Sequence, residues 1–211
     1  MKLLLASKSP RRRQLLSQLG YPVEFVDIDV DEHVPDGTPA SQMAELLAIR
    51  KAAAFNLTLN TEHLTLNTVL VTADTVVVLD DRPLGKPASR QQAIDMLHAL
   101  SGRHHSVYTG VCLRPLLTTK HLTLNSKHLT LTTDHFSERT DVHFRPLTDD
   151  EIIHYVDTYH PFDKAGAYGI QEWIGMVGIT RIDGCYYNVM GLPLATLYSH
   201  LQVLWEVQNG K

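Results

Sequence analysis

Apolar and polar positions fall into two rhythms along this chain, unbroken short runs and helical stripes. Lys2 to Ala6 is an apolar run without alternation, the pattern of a strand buried on both faces. Ser9-Pro10 then signals a helix start, since a serine oxygen caps a free N–H and proline suits the first helical position. Leu15, Leu16 and Leu19 form its apolar stripe. Tyr21 to Val30 alternates loosely as a second strand ending in the acidic turn Asp29 to Glu32. Ser41 is read as the cap of a helix to about Phe55, with Met43, Leu47, Lys51 and Ala54 on one stripe. Val69 to Ala73 and Thr75 to Leu79 make a buried-type strand with Asp74 inside it, turning back at Asp80-Asp81. Ser89 to Leu100 is an amphipathic helix closed by Gly102. His105 to Leu113 and Thr140 to Phe144 pair as a long hairpin, and Thr148 caps a helix with acidic residues in its first turn. Met176 to Ile182 reads as a strand, and Leu194 to about Val207 as the last helix. The alternation of strands and helices predicts an α/β protein.

Two stretches break these rhythms. His63-Leu-Thr-Leu-Asn67 echoes Asn56-Leu-Thr-Leu-Asn60, and the word returns at His121 to Asn125 and His128 to Thr132. Structural repeats need periods of about 20 to 50 residues to build a core. These copies are read as insertions, at about 56–67 and 118–133, that lengthen two surface loops. They account for part of the histidine content, so His63, His121 and His128 are discounted as metal ligands.

Composition narrows the function classes. The chain has 211 residues, enough for one large domain or two lobes, and its 44% hydrophobic and 20% charged residues are ordinary for a soluble globular protein. The net charge of -4 provides no global field for nucleic acid, which disfavours a nucleic-acid-binding module. Cys112 and Cys185 stand far apart with no CxxC spacing, which fits a reducing compartment and not a zinc or disulfide framework. The start is too short in apolar residues for a signal peptide, and no run approaches a membrane span. A cytoplasmic location is expected.

Candidate chemistry lies in a few charges held at strand ends and loops. Arg11, Arg12 and Arg13 occupy a first helical turn, where the macrodipole disfavours cations; either a phosphate repairs the mismatch or the three side chains simply point into water. Lys51 sits on a stripe otherwise apolar, and Lys86 lies between Gly85 and Pro87. Asp74 interrupts the run VLVTADTVVVL, where a carboxylate costs several kcal/mol unless paired, hydrogen-bonded or bound to metal. Glu32 adds a second acid. The loop Asp163 to Gln171, DKAGAYGIQ, is rich in small residues that let backbone approach a ligand, with Asp163, Lys164 and Gln171 as its polar groups and Tyr168 able to pack on a ring. No Walker loop, GxGxxG, HExxH or GxSxG is present. Cations that neutralise a polyphosphate, with carboxylates that hold Mg²⁺ and activate water, are the parts of a nucleotide hydrolase.

In this order the strings are specific. Leu5 to Arg13, Lys51-Ala52, Ala73 to Val77, Gly85 to Pro87, Leu100 to Gly102, Asp163 to Gln171 and Gly191 to Pro193 resemble the Maf family of nucleoside triphosphate pyrophosphatases, over nearly all of the chain except the two insertions. The resemblance implies a two-lobed mixed sheet flanked by helices, with a central cleft like that of inosine triphosphate pyrophosphatase. It also implies a divalent metal cation (Mg²⁺ or Mn²⁺), frequent homodimers and cleavage between the α and β phosphates. DKAGAYGIQ is similar to the subfamily acting on dTTP and UTP, and a glutamine amide suits the adjacent N–H and C=O of uracil or thymine. By this resemblance Asp74 is the proton acceptor and, with Glu32, a metal ligand. Arg11, Thr75 and Gln171 correspond to specificity positions. Lys51, Lys86, Asp163 and Lys164 line the polyphosphate and metal site, and Ser7 and Arg12 join the substrate-binding residues. The alternative is a non-catalytic nucleotide-binding regulator of cell division or septum formation, a role associated with the family. Such a binder could dispense with Asp74 and Glu32, yet this chain has both.

Overall fold

A computed structural model describes residues 1–55, 68–116 and 133–208. Its centre is a mixed sheet of seven strands, ordered β2-β1-β3-β5-β6-β7, with β4 also paired to β3. β1 (Lys2–Ala6) runs parallel to both β2 (Val23–Val26) and β3 (Thr68–Leu79). β4 (Arg82–Leu84), β5 (His104–Leu116), β6 (Asp134–Phe144) and β7 (Ile179–Asp183) are antiparallel to their neighbours. The helices are α1 (Pro10–Ser17), α2 (Ala40–Ala54), α3 (Arg90–Leu100), α4 (Asp149–Tyr159), α5 (Trp173–Gly178), α6 (Tyr186–Met190) and α7 (Leu194–Gln208).

β3 organises this arrangement. One of its edges pairs with β5 from Thr68 to Val78 without a break. The other is shared between two strands. β1 pairs with Thr68 to Val71, and β4 with Val77 to Leu79. The five residues Thr72 to Val76 carry neither partner on that edge. β1 and β4 approach this gap from opposite directions and both end at it, so their C-terminal loops face each other across Asp74. The hairpin that returns β3 into β4 turns at Asp80 and Asp81, both with positive φ (50° and 59°), as a two-residue turn of matching twist requires.

Three apolar clusters pack on the sheet. Side chains of a strand alternate between faces, so Leu3, Leu5, Val69, Val71 and Ala73 meet α1 and α7, while Leu4, Ala6 and Leu70 meet α2 on the opposite face. The third cluster joins Val77, Leu79, Val107 and Val142 to α3 and α4. Two lobes result, one on each side of the β3 gap.

Several sequence expectations are met and several are corrected. Ser9 caps α1, Ser89 caps α3, and Thr148 with Glu151 forms a capping box on α4. The second strand is shorter than Tyr21 to Val30, because the residues after Val26 leave the sheet. α2 begins at Ala40 behind Pro39, and Ser41 does not cap it. Its buried face is Ala44, Leu47, Ala48 and Ala52, a stripe of small residues that brings the helix close to the sheet. Met43-Leu47-Lys51 is the neighbouring flank. Met176 to Ile182 is not one strand: Trp173–Gly178 is helical, and β7 begins at Ile179. The insertions read at about 56–67 and 118–133 lie, Thr133 apart, outside the described residues. Thr68 and Leu116, which border them, are cross-strand partners, so both join the same end of the sheet. Among the described residues no helix is long and apolar enough to cross a membrane.

A buried histidine makes this core sensitive to acid. His105 is 2% exposed, stacks on Phe144, and meets the Tyr168 hydroxyl through Nε2 at 2.7 Å. Burial depresses its imidazole from 6.5 to about 4, more than the nearby Asp141 charge can restore. Between those values the unfolded chain binds the proton and the folded chain does not, so stability falls with pH. The contribution is whole above pH 6.5, and about 3 kcal/mol is lost as pH drops toward 4. Urea unfolding in stepped pH buffers should show this slope, and His105→Gln should flatten it.

Candidate active site

The gap in β3 opens into a cleft of about 1060 Å³. Ser7, Arg11, Arg12, Glu32, Lys51, Asp74, Thr75, Lys86, Asp163, Lys164 and Gln171 all line it. The sequence therefore identified residues that converge, although they come from six separate parts of the chain.

Asp74 lies within β3 in uninterrupted register, opposite Gly110, and is not bulged out. Its side chain lies on the α2 side, where Lys51 Nζ meets Asp74 Oδ1 at 2.5 Å and Glu32 Oε1 at 3.0 Å. Lys51 and Asp74 are 12% and 15% exposed at the side chain, so the pair is largely desolvated while Glu32 remains 57% exposed. Asp74 Oδ2 has no hydrogen-bond partner among the described residues and borders the cleft. The lysine thus reaches into a pocket instead of snorkelling to water. Burial pushes the Glu32 carboxyl up, but Lys51, Lys86 and Arg12 together hold it below its ordinary value.

The three arginines of α1 divide their work. Arg11 Nη1 pairs with Asp163 Oδ2 at 3.0 Å. Arg12 is tied inward, donating through Nε to Gly191 O at 2.8 Å and through Nη2 to Thr75 Oγ1 at 2.9 Å. Burial lowers its guanidinium pKa, with the Asp74 charge opposing. Arg13 turns away, donating to Asp27 and, at 3.0 Å, to Ser7 O, with its guanidinium over the Phe25 ring. Ser7 is buried, and its hydroxyl accepts from Ser9 N–H at 3.2 Å, which shapes the turn from β1 into α1. Lys86 is exposed on the facing loop after β4, without a hydrogen bond or ion pair among the described residues.

The glycine-rich loop is held from beneath. Lys164, 7% exposed, lies 2.7 Å from Asp163 Oδ1 and 3.1 Å from Glu172 Oε1. Burial pushes Asp163 up, yet Lys164 and Arg11 outweigh it and leave the carboxyl lowered. Gly169 O accepts from Glu172 N–H at 3.0 Å, making a turn with Gln171 near its tip. The Tyr155 hydroxyl accepts from Gly169 N–H at 3.0 Å and donates to Glu172. Gln171 itself is half-buried with no side-chain hydrogen bond among the described residues. Tyr168 is not available to a ligand ring as expected. It is buried, bonded to His105, and packed edge-on against Phe144.

Could a metal sit here? Among the described residues no cluster of three or more histidine, cysteine or acidic side chains is placed to hold one. Glu32 and Asp74 do converge on one cationic position, the Lys51 ammonium. Two carboxylates and room for phosphate oxygens are what Mg²⁺ typically takes from a protein in phosphoryl chemistry. The donor set therefore fits.

The family described as Maf-like protein matches residues 2–204 of this sequence. The chain belongs to the Maf family. Its relatives within the family include the dTTP/UTP pyrophosphatase of Bacteroides fragilis strain ATCC 25285, 46% identical over 205 residues and covering 96% of each chain. The dTTP/UTP pyrophosphatases of Bacteroides thetaiotaomicron (43%, 96% of each chain) and Chlorobaculum tepidum (40%, 99% of this chain and 98% of the relative) are similar throughout. Among solved structures, the Staphylococcus aureus Ham1 protein aligns over 96% of this chain and 98% of its own at 16% identity, with a TM-score of 0.49.

Sequence reasoning passed over several groups that this Maf site needs. Glu172 and Tyr155 anchor the Gln171 turn, and Thr109 and Asn188 support Thr75. Gly110 is the clearest. A Cβ there would fall 2.3 Å from the Glu45 Cα and N, so only glycine lets α2 lie against β5 and deliver Lys51 to Asp74. The signal was the small-residue stripe Ala44-Ala48-Ala52 and a glycine inside a strand pattern. Gly110→Ala should cost about 2–3 kcal/mol in urea unfolding. Gly85→Ala, with nothing within 4 Å of its Cβ, should leave stability nearly unchanged.

Proposed function

We propose that this chain is a nucleoside triphosphate pyrophosphatase that hydrolyses dTTP and UTP to the monophosphate and pyrophosphate. One observation carries the reading: a carboxylate set where one edge of a central strand is left open, held by a lysine and faced across a cleft by further cations. The names of the relatives, dTTP/UTP pyrophosphatase over nearly their full length, support the same substrate class.

In the reaction a water oxygen bonds to the α-phosphorus, the bridging α–β P–O bond breaks, and the pair of electrons leaves on pyrophosphate. Asp74 takes the proton of the attacking water through Oδ2, the oxygen that Lys51 leaves open. Lys51 orients Asp74 through its contact with Oδ1. Lys86, Arg11 and Lys164 line the cleft, and in this reading they offset the charge that develops on the departing group. Arg12 is already bonded to Thr75 and the Gly191 carbonyl, so it acts as a fixed positive wall. Asp163 holds Arg11 and Lys164 in place until phosphate competes for them. Glu32 and Asp74 would hold a divalent cation, which when bound supplies Lewis-acid polarisation of the phosphoryl oxygens. Gln171 meets the base edge, its amide offering donor and acceptor together.

The decisive experiment separates products from dTTP and UTP with Mg²⁺, for wild type and Asp74→Asn. Monophosphate and pyrophosphate are expected in equal amounts. The variant should lose roughly 10²–10⁴-fold in turnover, the range of a lost general base, with its thermal unfolding little changed. A fully active Asp74→Asn would sink the assignment. A well-folded wild type that binds triphosphates without cleaving them would favour a regulator instead.

A further inference from the structure

Thr75, Thr109 and Asn188 form a chain of hydrogen bonds whose proton directions can be worked out from the atoms involved. Thr109 Oγ1 lies 2.8 Å from Asn188 O. A carbonyl only accepts, so the single hydroxyl proton of Thr109 is committed there. Thr75 Oγ1 lies 3.0 Å from Thr109 Oγ1. With the Thr109 proton spent, Thr75 must be the donor in that pair. Arg12 Nη2 in turn donates to Thr75 Oγ1 at 2.9 Å. The protons therefore run one way, from Arg12 through Thr75 and Thr109 to the Asn188 carbonyl. Thr75 lines the cleft with a free lone pair and no free proton.

The far end of this relay is fixed. Thr109 is 0% exposed, and Asn188, also 0% exposed, is pinned by its Nδ2 donating to Val107 O at 3.1 Å and Thr140 Oγ1 at 2.9 Å. Gln171 is different. Its amide has no partner among the described residues, so it can flip. Uracil and thymine present N3–H beside a carbonyl, whereas cytosine presents a bare N3 beside an amine. A flipping amide complements either order and cannot choose between them.

We propose that Thr109 is a positioning residue that makes Thr75 an acceptor-only group, and that this fixed polarity is what admits uracil and thymine and turns cytosine away. The inference rests on the reading that the cleft takes pyrimidine triphosphates. A base with N3–H donates to the open lone pair of Thr75. Cytosine would need Thr75 to donate, which takes its proton from Thr109 and forfeits the Thr75–Thr109 bond, or, if Thr109 turns to donate back, the Thr109 bond to Asn188 O. One forfeited hydrogen bond corresponds to roughly five- to tenfold in relative efficiency.

The test compares kcat/KM for UTP and CTP in wild type, Thr109→Val and Thr109→Ser. Valine keeps the volume and removes the acceptor, so the Thr75 proton is free to turn into the cleft. Wild type should prefer UTP, Thr109→Val should lower the UTP:CTP ratio roughly five- to tenfold, and Thr109→Ser should restore it. A Thr109→Val enzyme that hydrolyses UTP with the wild-type ratio overturns the proposal. So does a loss that falls equally on both substrates, the result expected if Thr75 meets a sugar hydroxyl. Should Thr109→Val not fold, the wild type still decides: equal hydrolysis of CTP and UTP overturns the proposal. A wild type inactive on dTTP, UTP and CTP alike is a different outcome, since it removes the pyrophosphatase reading itself.

Discussion

The Lys51–Asp74 ion pair is the interaction on which this architecture depends. A carboxylate in the middle of a central strand is expensive, because desolvating one ion costs several kcal/mol and only a well-placed opposite charge offsets it. Lys51 is that charge, and it belongs to a helix on one face of the sheet. Its reach is set by how close α2 can come. Three alanines and the absence of a side chain at Gly110 bring the helix backbone almost onto β5. The Thr72 hydroxyl, donating to Ala48 O at 2.6 Å, pins helix to strand two residues before Asp74. A bulkier interface would leave the ammonium short of the carboxylate and the carboxylate without compensation. Packing and chemistry are the same constraint at this point.

The cleft around the pair is nearly balanced in charge. Lys8, Arg11, Arg12, Lys51, Lys86 and Lys164 line it, against Asp29, Asp31, Glu32, Asp74 and Asp163. That balance explains how a chain with net charge -4 can keep so many cations together without self-repulsion. It also makes the site a set of exchangeable partners. Arg11 and Lys164 rest on Asp163, and Lys51 rests on two acids, so an anion that binds these three cations replaces existing pairs, whereas Lys86 is unpaired among the described residues. Such replacement lowers the net gain of binding but holds each cation in place beforehand, which is what a reaction stabilised by fixed dipoles and charges requires.

How much of this was legible in the sequence follows the range of the interactions. Local signals held: Ser9-Pro10, the Thr148 capping box and the Asp80-Asp81 turn each depend on neighbours a few residues away. Asp74 stood out because an acid in an apolar run violates a local rule, and such violations mark sites. What was not legible was non-local. The gap at Thr72 to Val76 exists because two strands from different parts of the chain stop on either side of it. No residue inside the gap announces that. The apolar stripe of α2 was read one flank away from its buried face, since alanines count weakly in a hydrophobic pattern although they decide the closeness of approach. Met176 to Gly178 was taken for the start of a strand because the six-residue helix it belongs to offers too few turns to show a period.

The same alternation that hid the gap also sets the place of the proposed selectivity. Residues of odd number on β3 share one face of the sheet. Val69, Val71 and Ala73 enter one apolar core, and Val77 and Leu79 enter another. Thr75 falls between them, as Thr109 falls between Val107 and Val111 on β5. A polar layer, completed by Thr140 and Asn188, thus separates two apolar lobes on a single face. Buried polar groups must be bonded to one another, and a network with few alternatives has few proton arrangements. Among the described residues, the seam between the lobes is where hydroxyls are both buried enough to be fixed in direction and near enough to the cleft for their direction to matter. An apolar seam would pack the lobes as well but would present a ligand with nothing to read.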